Sequence, residues 1–322
     1  HVSYFQHFFL SLHHLIKSSL KMLGRRQIRE KVVQTLYSYH QNPIKTDVLE
    51  KNMFTEIEKI YYLYIYQLNF LVALKDLAER QIEIGKNKFI KTEEDLNPNM
   101  KFVNNQVFLQ LDQNEERLSF NSKHKKYQWD LHDELLVKTF QRIVASKRYQ
   151  EYMAEESLSF EEDQKFVGKL FLKYVAENED FHERLEELEL SWADDFHISN
   201  SMIQKTIGFM KQNQPSHTLI KMLKDEEDRH FAKKLLLQSI SHWENSEKKI
   251  EERLENWDLE RISLMDRLIL ITAITEIDNF PLTPAKVIIN EYIEVSKVFA
   301  TDRSQIFVNG ILDKYTKDIS RA

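Results

Sequence analysis

The stretch that decides the fold class lies near the carboxyl end of the chain. Residues 283–299 read TPAKVIINEYIEVSKVF, and residues 307–314 read FVNGILDK. A capping Thr283 and then Pro284 open the first segment, its apolar residues recur at helical spacing, and Lys297 follows near its end. A short polar loop separates it from the second segment. The pattern predicts two consecutive helices that pack through their apolar faces.

Core and surface positions can be separated within these two helices. Val287, Ile288, Ile289 and Ile293 fall at spacings that predict a buried face. Gly310 lies inside the second helix, where the absence of a side chain predicts a close approach of two helices. The polar residues between these positions are expected to face solvent.

The composition of the whole chain favours an all-α protein. Its 322 residues suffice for one large domain or two ordinary ones, and a hydrophobic content of 42% supports a substantial core. Only five Gly and five Pro leave little turn chemistry, so long helices are expected. The absence of Cys excludes a disulfide framework and cysteine-based zinc sites, and it fits a reducing cytoplasm.

Charge and motif content narrow the classes of function. A formal net charge of −6 means that any nucleic-acid site must be a local basic patch. No apolar run reaches the length of about 18 residues that a membrane span requires. The sequence contains no phosphate-loop, Gly-x-Gly-x-x-Gly, His-Glu-x-x-His or Gly-x-Ser-x-Gly pattern. We therefore expect no catalytic residues, no metal, no cofactor and no membrane association.

The amino-terminal 21 residues differ from the rest of the chain. They are aromatic and His-rich, lack a starting Met, and show no clear secretory signal. Strong helical patterning begins after Met22. Residues 1–21 are therefore interpreted as a non-native or disordered extension upstream of a natural start at Met22, and a genuine amphipathic arm is the alternative.

A basic helix is predicted directly after Met22. Apolar residues recur every four positions at Ile28, Val32 and Leu36, which gives this helix a core face. Five basic residues and one acid lie between Lys21 and Lys31. Cations at the start of a helix oppose its dipole, so anion binding is one explanation for them and a solvated face is the other. From this segment alone the two remain equally supported.

A long middle region separates the basic helix from the carboxy-terminal segments. Helical patterns cover most of it, beginning with an apolar, Tyr-rich run at 60–71 that is interpreted as core rather than as a cofactor site. Further helices are expected at about 100–120, 127–154, 160–177, 179–190 and 197–212, and a long one from Phe231 to about Asn256. The acid-rich residues 179–189 are interpreted as a solvated helix face rather than a metal site.

Two motifs, one near each end of the chain, together resemble the NusB family of bacterial transcription antitermination factors. The carboxy-terminal motif consists of Pro284–Glu291 and Phe307–Asp313, and the amino-terminal motif is the run Arg25–Tyr37. The resemblance implies an all-α, NusB-like helical bundle that the two chain ends form together. The predicted organisation is an amino-terminal RNA-binding helix at 22–45, a large helical insertion at 46–222 and a NusB-like subdomain at 223–322.

The resemblance also implies a function and a set of site residues. Members of the family bind boxA-type single-stranded RNA together with NusE, a ribosomal small-subunit protein, and act on the RNA polymerase elongation complex in ribosomal RNA transcription. Asp266 is the position that faces NusE. The positions expected to face RNA are Arg25, Arg26, Arg29, Tyr37, Lys297, Arg303 and Phe307. Arg303 departs from the family pattern, which has an acid there. One composite RNA face requires Arg26 and Phe307 to point the same way.

Two other functions are weighed against RNA binding. In the first, the family core survives but RNA binding is secondary, and the protein is an interaction scaffold whose insertion recruits a partner. In the second, the chain is an RNA methyltransferase with an amino-terminal domain of this kind. The second is disfavoured because such enzymes need a Gly-rich nucleotide-binding α/β domain that this sequence lacks.

Overall fold

A computed structural model describes most of the chain. The described residues are 24–156, 159–212, 219–221, 223, 226–254, 259–299 and 302–319. The predicted extension at 1–21, with its four His, lies outside these ranges. So does Thr301, and of Asp302 only the backbone is described.

The described residues fold as fifteen α-helices without a β-strand, which confirms the all-α prediction. In chain order the helices are α1 (Arg25–Gln41), α2 (Thr46–Lys86), α3 (Glu93–Leu96), α4 (Gln106–Asp112), α5 (Glu115–Lys123), α6 (Glu134–Val144), α7 (Lys147–Ala154), α8 (Phe160–Phe171), α9 (Glu179–Leu188), α10 (Trp192–Phe209), α11 (Glu226–Ser241), α12 (Trp243–Glu251), α13 (Leu264–Asn279), α14 (Ala285–Phe299) and α15 (Asp302–Ile319).

Three segments that the apolar pattern predicted as single helices are divided: about 100–120, 127–154 (α6 and α7) and Phe231 to about Asn256 (α11 and α12). At about 100–120 the structure has two short helices, α4 and α5, each with an asparagine cap. The side chain of Asn105 accepts hydrogen bonds from the backbone N–H groups of Val107 and Phe108, and Asn114 accepts one from Arg117 at 3.0 Å. Asparagine is favoured at such caps because its oxygen satisfies amides that lack a helical partner. The polar caps therefore outweigh the apolar periodicity here.

The chain forms two compact units, and their boundary falls inside α2. One unit comprises Ile60–Lys221, and the other comprises the described parts of 23–59 and 222–322. We call them the inserted unit and the terminal unit. The first part of α2 belongs to the terminal unit because Leu49 and Met53 pack into its core. The inserted unit therefore starts at Ile60, later than the position 46 predicted for the insertion. Helix α2 continues across this boundary without a break.

Helix α13 is the centre of the terminal unit. Every residue from Leu268 to Glu276 is buried, so this helix contacts neighbours around its whole circumference. Helices α1, α11, α12, α14 and α15 pack against it. The two ends of the chain thus meet in one bundle, as the resemblance implied. The predicted core face of α14 holds for Ile288 and Ile289, but Val287 is 47% exposed.

The inserted unit has an aromatic core of its own. Tyr64 is fully buried, and its hydroxyl lies 2.5 Å from that of Thr206. Burial raises the pKa of Tyr64 well above its ordinary value. Trp129 stacks on Tyr66, with 4.6 Å between the ring centroids. The Tyr-rich run is thus core, as the pattern indicated.

Candidate functional site

Helix α1 begins with arginines and has no acidic residue in its first turn. Its amides and its cations together create positive charge at this end. Other helices of the terminal unit supply the balancing carboxylates. Arg25 contacts Glu227 and lies 3.6 Å from Asp228, both at the start of α11.

Arg26 binds helix α14 through both edges of its guanidinium group. Its Nε donates to Oε2 of Glu291 at 3.1 Å, and its Nη2 donates to Oε1 at 3.0 Å. Glu294, one turn further along α14, lies 3.9 Å from Nη1. Partial burial disfavours the charge of Arg26, but the Glu291 carboxylate outweighs this effect, so the pKa of Arg26 rises. The side chain keeps 28% of its surface exposed.

Arg29 lies in the core. Its side chain is 3% exposed, and it donates from Nε and Nη2 to Glu276 at 2.8 and 2.5 Å. Glu276 is itself fully buried and accepts a third hydrogen bond from the Tyr292 hydroxyl at 2.9 Å. Burial and the neighbouring Glu276 charge raise the pKa of Tyr292 well above its ordinary value. The Arg29 guanidinium offers almost no surface to a ligand, so the direct contact expected of it does not fit this structure.

Six side chains of alternating charge connect this core pair with the surface. In order they are Glu276, Arg29, Glu291, Arg26, Glu294 and Lys297, which we call the charge ladder. Arg29 reaches Glu291 at 3.7 Å, and Lys297 reaches Glu294 at 2.5 Å. Arg26 and Lys297, two of the predicted RNA residues, therefore flank the same carboxylate.

The remaining predicted RNA residues lie on other parts of the terminal unit. Tyr37 on α1 is 40% exposed, and Arg303 at the start of α15 is exposed. Phe307 is half-buried and packs against the hydrophobic core, whereas its neighbour Ile306 is 78% exposed. Helices α1 and α15 both pack on α13. That Arg26 and Phe307 share one face stays a prediction.

Asp266, the position expected to face NusE, is buried in this structure. This residue is 8% exposed and lies in the first turn of α13, where the capping residue Ser263 accepts from its backbone N–H at 3.1 Å and donates to its Oδ2 at 2.8 Å. The Ser304 hydroxyl also donates to Oδ2, at 3.2 Å, and so connects α15 with the start of α13. Oδ1 has no hydrogen-bond partner among the described residues. In this structure Asp266 ties two helix ends together.

Neither a metal site nor a membrane span emerges from the described part of the chain. Two Glu-x-x-His spacings occur, at Glu179 with His182 and at Glu227 with His230. Within the described ranges, however, no three His, Asp or Glu side chains converge in a way that could hold an ion. None of the described helices combines the length and the apolar character needed to cross a bilayer.

Residues 195–317 match the profile described as the NusB family. A protein named transcription antitermination protein NusB from Salinibacter ruber is 36% identical over 108 residues, which cover 33% of this chain and 68% of the relative. The chain belongs to the NusB family. Proteins of the same name from Methylacidiphilum infernorum and Lysinibacillus sphaericus are 39% and 38% identical over 97 and 87 residues, with 68% of each relative and 30% and 27% of this chain covered. No solved structure matches the chain significantly.

The match to the NusB family runs from α10 into α15, so it includes three residues of the charge ladder on α14 and one on α13. Helix α1, with its arginines, precedes the matched residues. Its packing on α11, α13 and α14 attaches it to the family segment.

The sequence reasoning missed the acidic partners of the arginines. For Glu276 a signal was available, because it is the one charged residue of the run 268–277 on α13, and a carboxylate in such a run predicts a buried cation partner. For Glu291 and Glu294 the only signal was their spacing on one face of α14.

Proposed function

We propose that this protein is a transcription antitermination factor that binds boxA-type single-stranded RNA together with NusE and acts on the RNA polymerase elongation complex. The observation that carries the proposal is the match of residues 195–317 to the NusB family, together with the likeness to proteins named for transcription antitermination. These residues include α13, α14 and most of α15. A role without catalysis is part of the proposal.

The outer end of the charge ladder supports an RNA-binding role. Glu294 lies 3.9 Å from Arg26, too far for a hydrogen bond, and it is 36% exposed. A phosphate group can replace this carboxylate between Arg26 and Lys297, while the two-fold hydrogen bonding of Arg26 with Glu291 continues to orient the guanidinium. Arg29 acts as a positioning residue, because it holds α1 against α13 from within the core.

Exposed aromatic and basic groups extend this proposal. Tyr37 presents enough of its ring for an unpaired base to stack on it, and Arg303 adds positive charge near Phe307. Asp266 contributes by fixing the adjoining ends of α13 and α15, where NusE is expected to dock.

Binding to RNA by this chain alone is expected to be weak. The arginines of α1 already have carboxylate partners, so a phosphate must compete with them. Contacts of a few cations with phosphates give affinities of roughly 10⁻⁴–10⁻⁶ M that fall steeply with salt. NusE can raise the affinity by sharing the same RNA strand.

A fluorescence titration with labelled boxA RNA and a scrambled RNA, with and without NusE, tests the function. The wild-type protein should prefer boxA RNA, and NusE should increase this preference. Lys297→Gln and Arg26→Gln should each reduce the slope of log affinity against log salt by about 0.7, the value for one phosphate of a single strand. Lys147→Gln is the control, because Lys147 is 88% exposed in the inserted unit. Equal affinity for both RNAs at every salt concentration would refute the proposal.

The inserted unit supports a second candidate, an interaction scaffold. Phe89 and Ile90 follow the long helix α2 and are 101% and 81% exposed, with Lys88 and Lys91 on either side. Two adjacent apolar side chains in water are typical of a protein-docking surface. On this alternative, Phe89→Ser/Ile90→Ser abolishes capture of a protein partner by the full chain and leaves binding to boxA RNA unchanged. An unchanged set of captured proteins counts against the scaffold.

A further inference from the structure

A groove of about 510 Å³ lies between α14 and α15 on the terminal unit. Six of its seven lining residues carry polar or charged side chains, and the seventh, Ile289, is 7% exposed. Its lining residues are Lys286, Ile289, Asn290, Asn309, Asp313, Thr316 and Lys317. The groove is separate from the charge ladder, whose side chains on α14 are Glu291, Glu294 and Lys297. The site described above therefore does not account for it.

Gly310 lies on α15 directly after the groove residue Asn309. The sequence predicted that this glycine permits a close approach of helices, and this prediction is wrong. A Cβ placed on Gly310 would meet no atom within 4 Å, and the residue is exposed. Glycine weakens a helix interior, and here no packing within the unit compensates. An open position of this kind suits a ligand that must lie close to the helix backbone.

The chemistry of the groove favours an anionic, hydrogen-bonding ligand. Lys286 and Lys317 contribute positive charge against the single carboxylate of Asp313, which lies 3.4 Å from Lys317. Lys286 lies in the first turn of α14, which contains no acidic residue, so the helix amides add to the positive potential. The amides of Asn290 and Asn309 each offer donors and an acceptor, as the edge of a nucleotide base requires.

We propose that this groove is a second contact surface for single-stranded RNA, with the lysines on phosphates, the two asparagines on base edges and the strand passing directly over Gly310. The inference rests on the proposed RNA-binding function and extends it to a site that does not include the arginine helix. RNA is the favoured occupant because two of the seven lining residues are lysines and two are asparagines.

Gly310→Ala provides the test, because it adds one methyl group in open space. We expect full-length Gly310→Ala to bind fluorescein-labelled boxA RNA about five-fold more weakly, since the methyl group separates the strand from its hydrogen-bonding partners. Asn309→Ala should weaken binding by a similar factor of about five. Lys286→Gln should lower the salt slope by about 0.7. Gly208→Ala is the matched control, since Gly208 is also exposed on a helix and a Cβ there meets nothing within 4 Å.

The outcomes separate the groove from the function on which it rests. If wild-type protein binds boxA RNA and the Gly310→Ala and Asn309→Ala variants bind equally well, the groove proposal is overturned and the proposed function stands. If wild-type protein binds no RNA, with or without NusE, both fall. If the variants no longer bind NusE but bind RNA normally, the groove is a protein-docking surface and the proposal is again wrong. Circular dichroism of each variant confirms that α15 remains folded.

Discussion

Arg29→Met should destabilise the terminal unit far more than Arg26→Met, although the two arginines lie one helical turn apart on α1. The substitution removes two charge-assisted hydrogen bonds and leaves Glu276 as a fully buried carboxylate that keeps the hydrogen bond from the Tyr292 hydroxyl. Removing one member of a buried ion pair costs about 3–5 kcal/mol, mostly because the other charge remains desolvated. Arg26 and its partner Glu291 are 28% and 23% exposed, so water can compensate and we expect a loss of about 1 kcal/mol.

A multiple substitution distinguishes a charge effect from a packing effect. Arg29→Met combined with Glu276→Leu and Tyr292→Phe removes both charges and the Tyr292 hydroxyl that donates to Glu276. The new side chains have volumes similar to those they replace. Replacing a buried ion pair by apolar residues is often neutral or stabilising. The triple variant should therefore be at least about 2 kcal/mol more stable than Arg29→Met alone.

The assay must resolve the terminal unit, because a chain with two compact units need not unfold in one step. Hydrogen exchange followed by mass spectrometry, on peptides from α13 and α14, reports the opening free energy of that unit directly. Urea unfolding monitored by far-ultraviolet circular dichroism supplies the unfolding free energy of the whole chain. Equal destabilisation of α13 by Arg29→Met and Arg26→Met, or a triple variant less stable than Arg29→Met, would show that the buried ion pair does not determine the stability of this unit.

Three further predictions concern the terminal unit and its boundary. Asp266→Ala removes the carboxylate that accepts from Ser263 and Ser304, and with it the link between α13 and α15, and should lower the unfolding free energy of the terminal unit by about 1–2 kcal/mol; an unchanged value in urea unfolding argues against this linking role. Gly310→Ala should raise the unfolding free energy of the terminal unit by about 0.5–1 kcal/mol, because the methyl group has open space and alanine favours helix. Destabilisation in the same assay would show that the site is crowded. Met53→Ala should cost about 2–5 kcal/mol of unfolding free energy and accelerate hydrogen exchange in α13. Leu63→Ala should instead accelerate hydrogen exchange in the inserted unit. The reverse pattern contradicts a boundary near residue 60.

The sequence alone determined the class of the fold and the pairing of its two ends. Apolar residues at helical spacing predicted α1, α13, α14 and α15, because the period of a helix is fixed by backbone geometry and does not depend on distant contacts. The run Phe307–Asp313 and the arginines of α1 indicated the NusB family from the sequence alone. Helix ends were less well predicted, since a single asparagine cap can divide an apolar pattern.

Only the tertiary structure decided what each charged residue does. Three arginines within five positions look alike in the sequence. In the structure Arg25 is half-buried and pairs with α11, Arg26 bridges to α14, and Arg29 is buried against Glu276. Their partners lie more than 200 residues away, and the free energy of an ion pair depends on burial, which no local pattern encodes. The same reason explains Asp266 and Gly310, whose surroundings depend on how α15 packs against its neighbours.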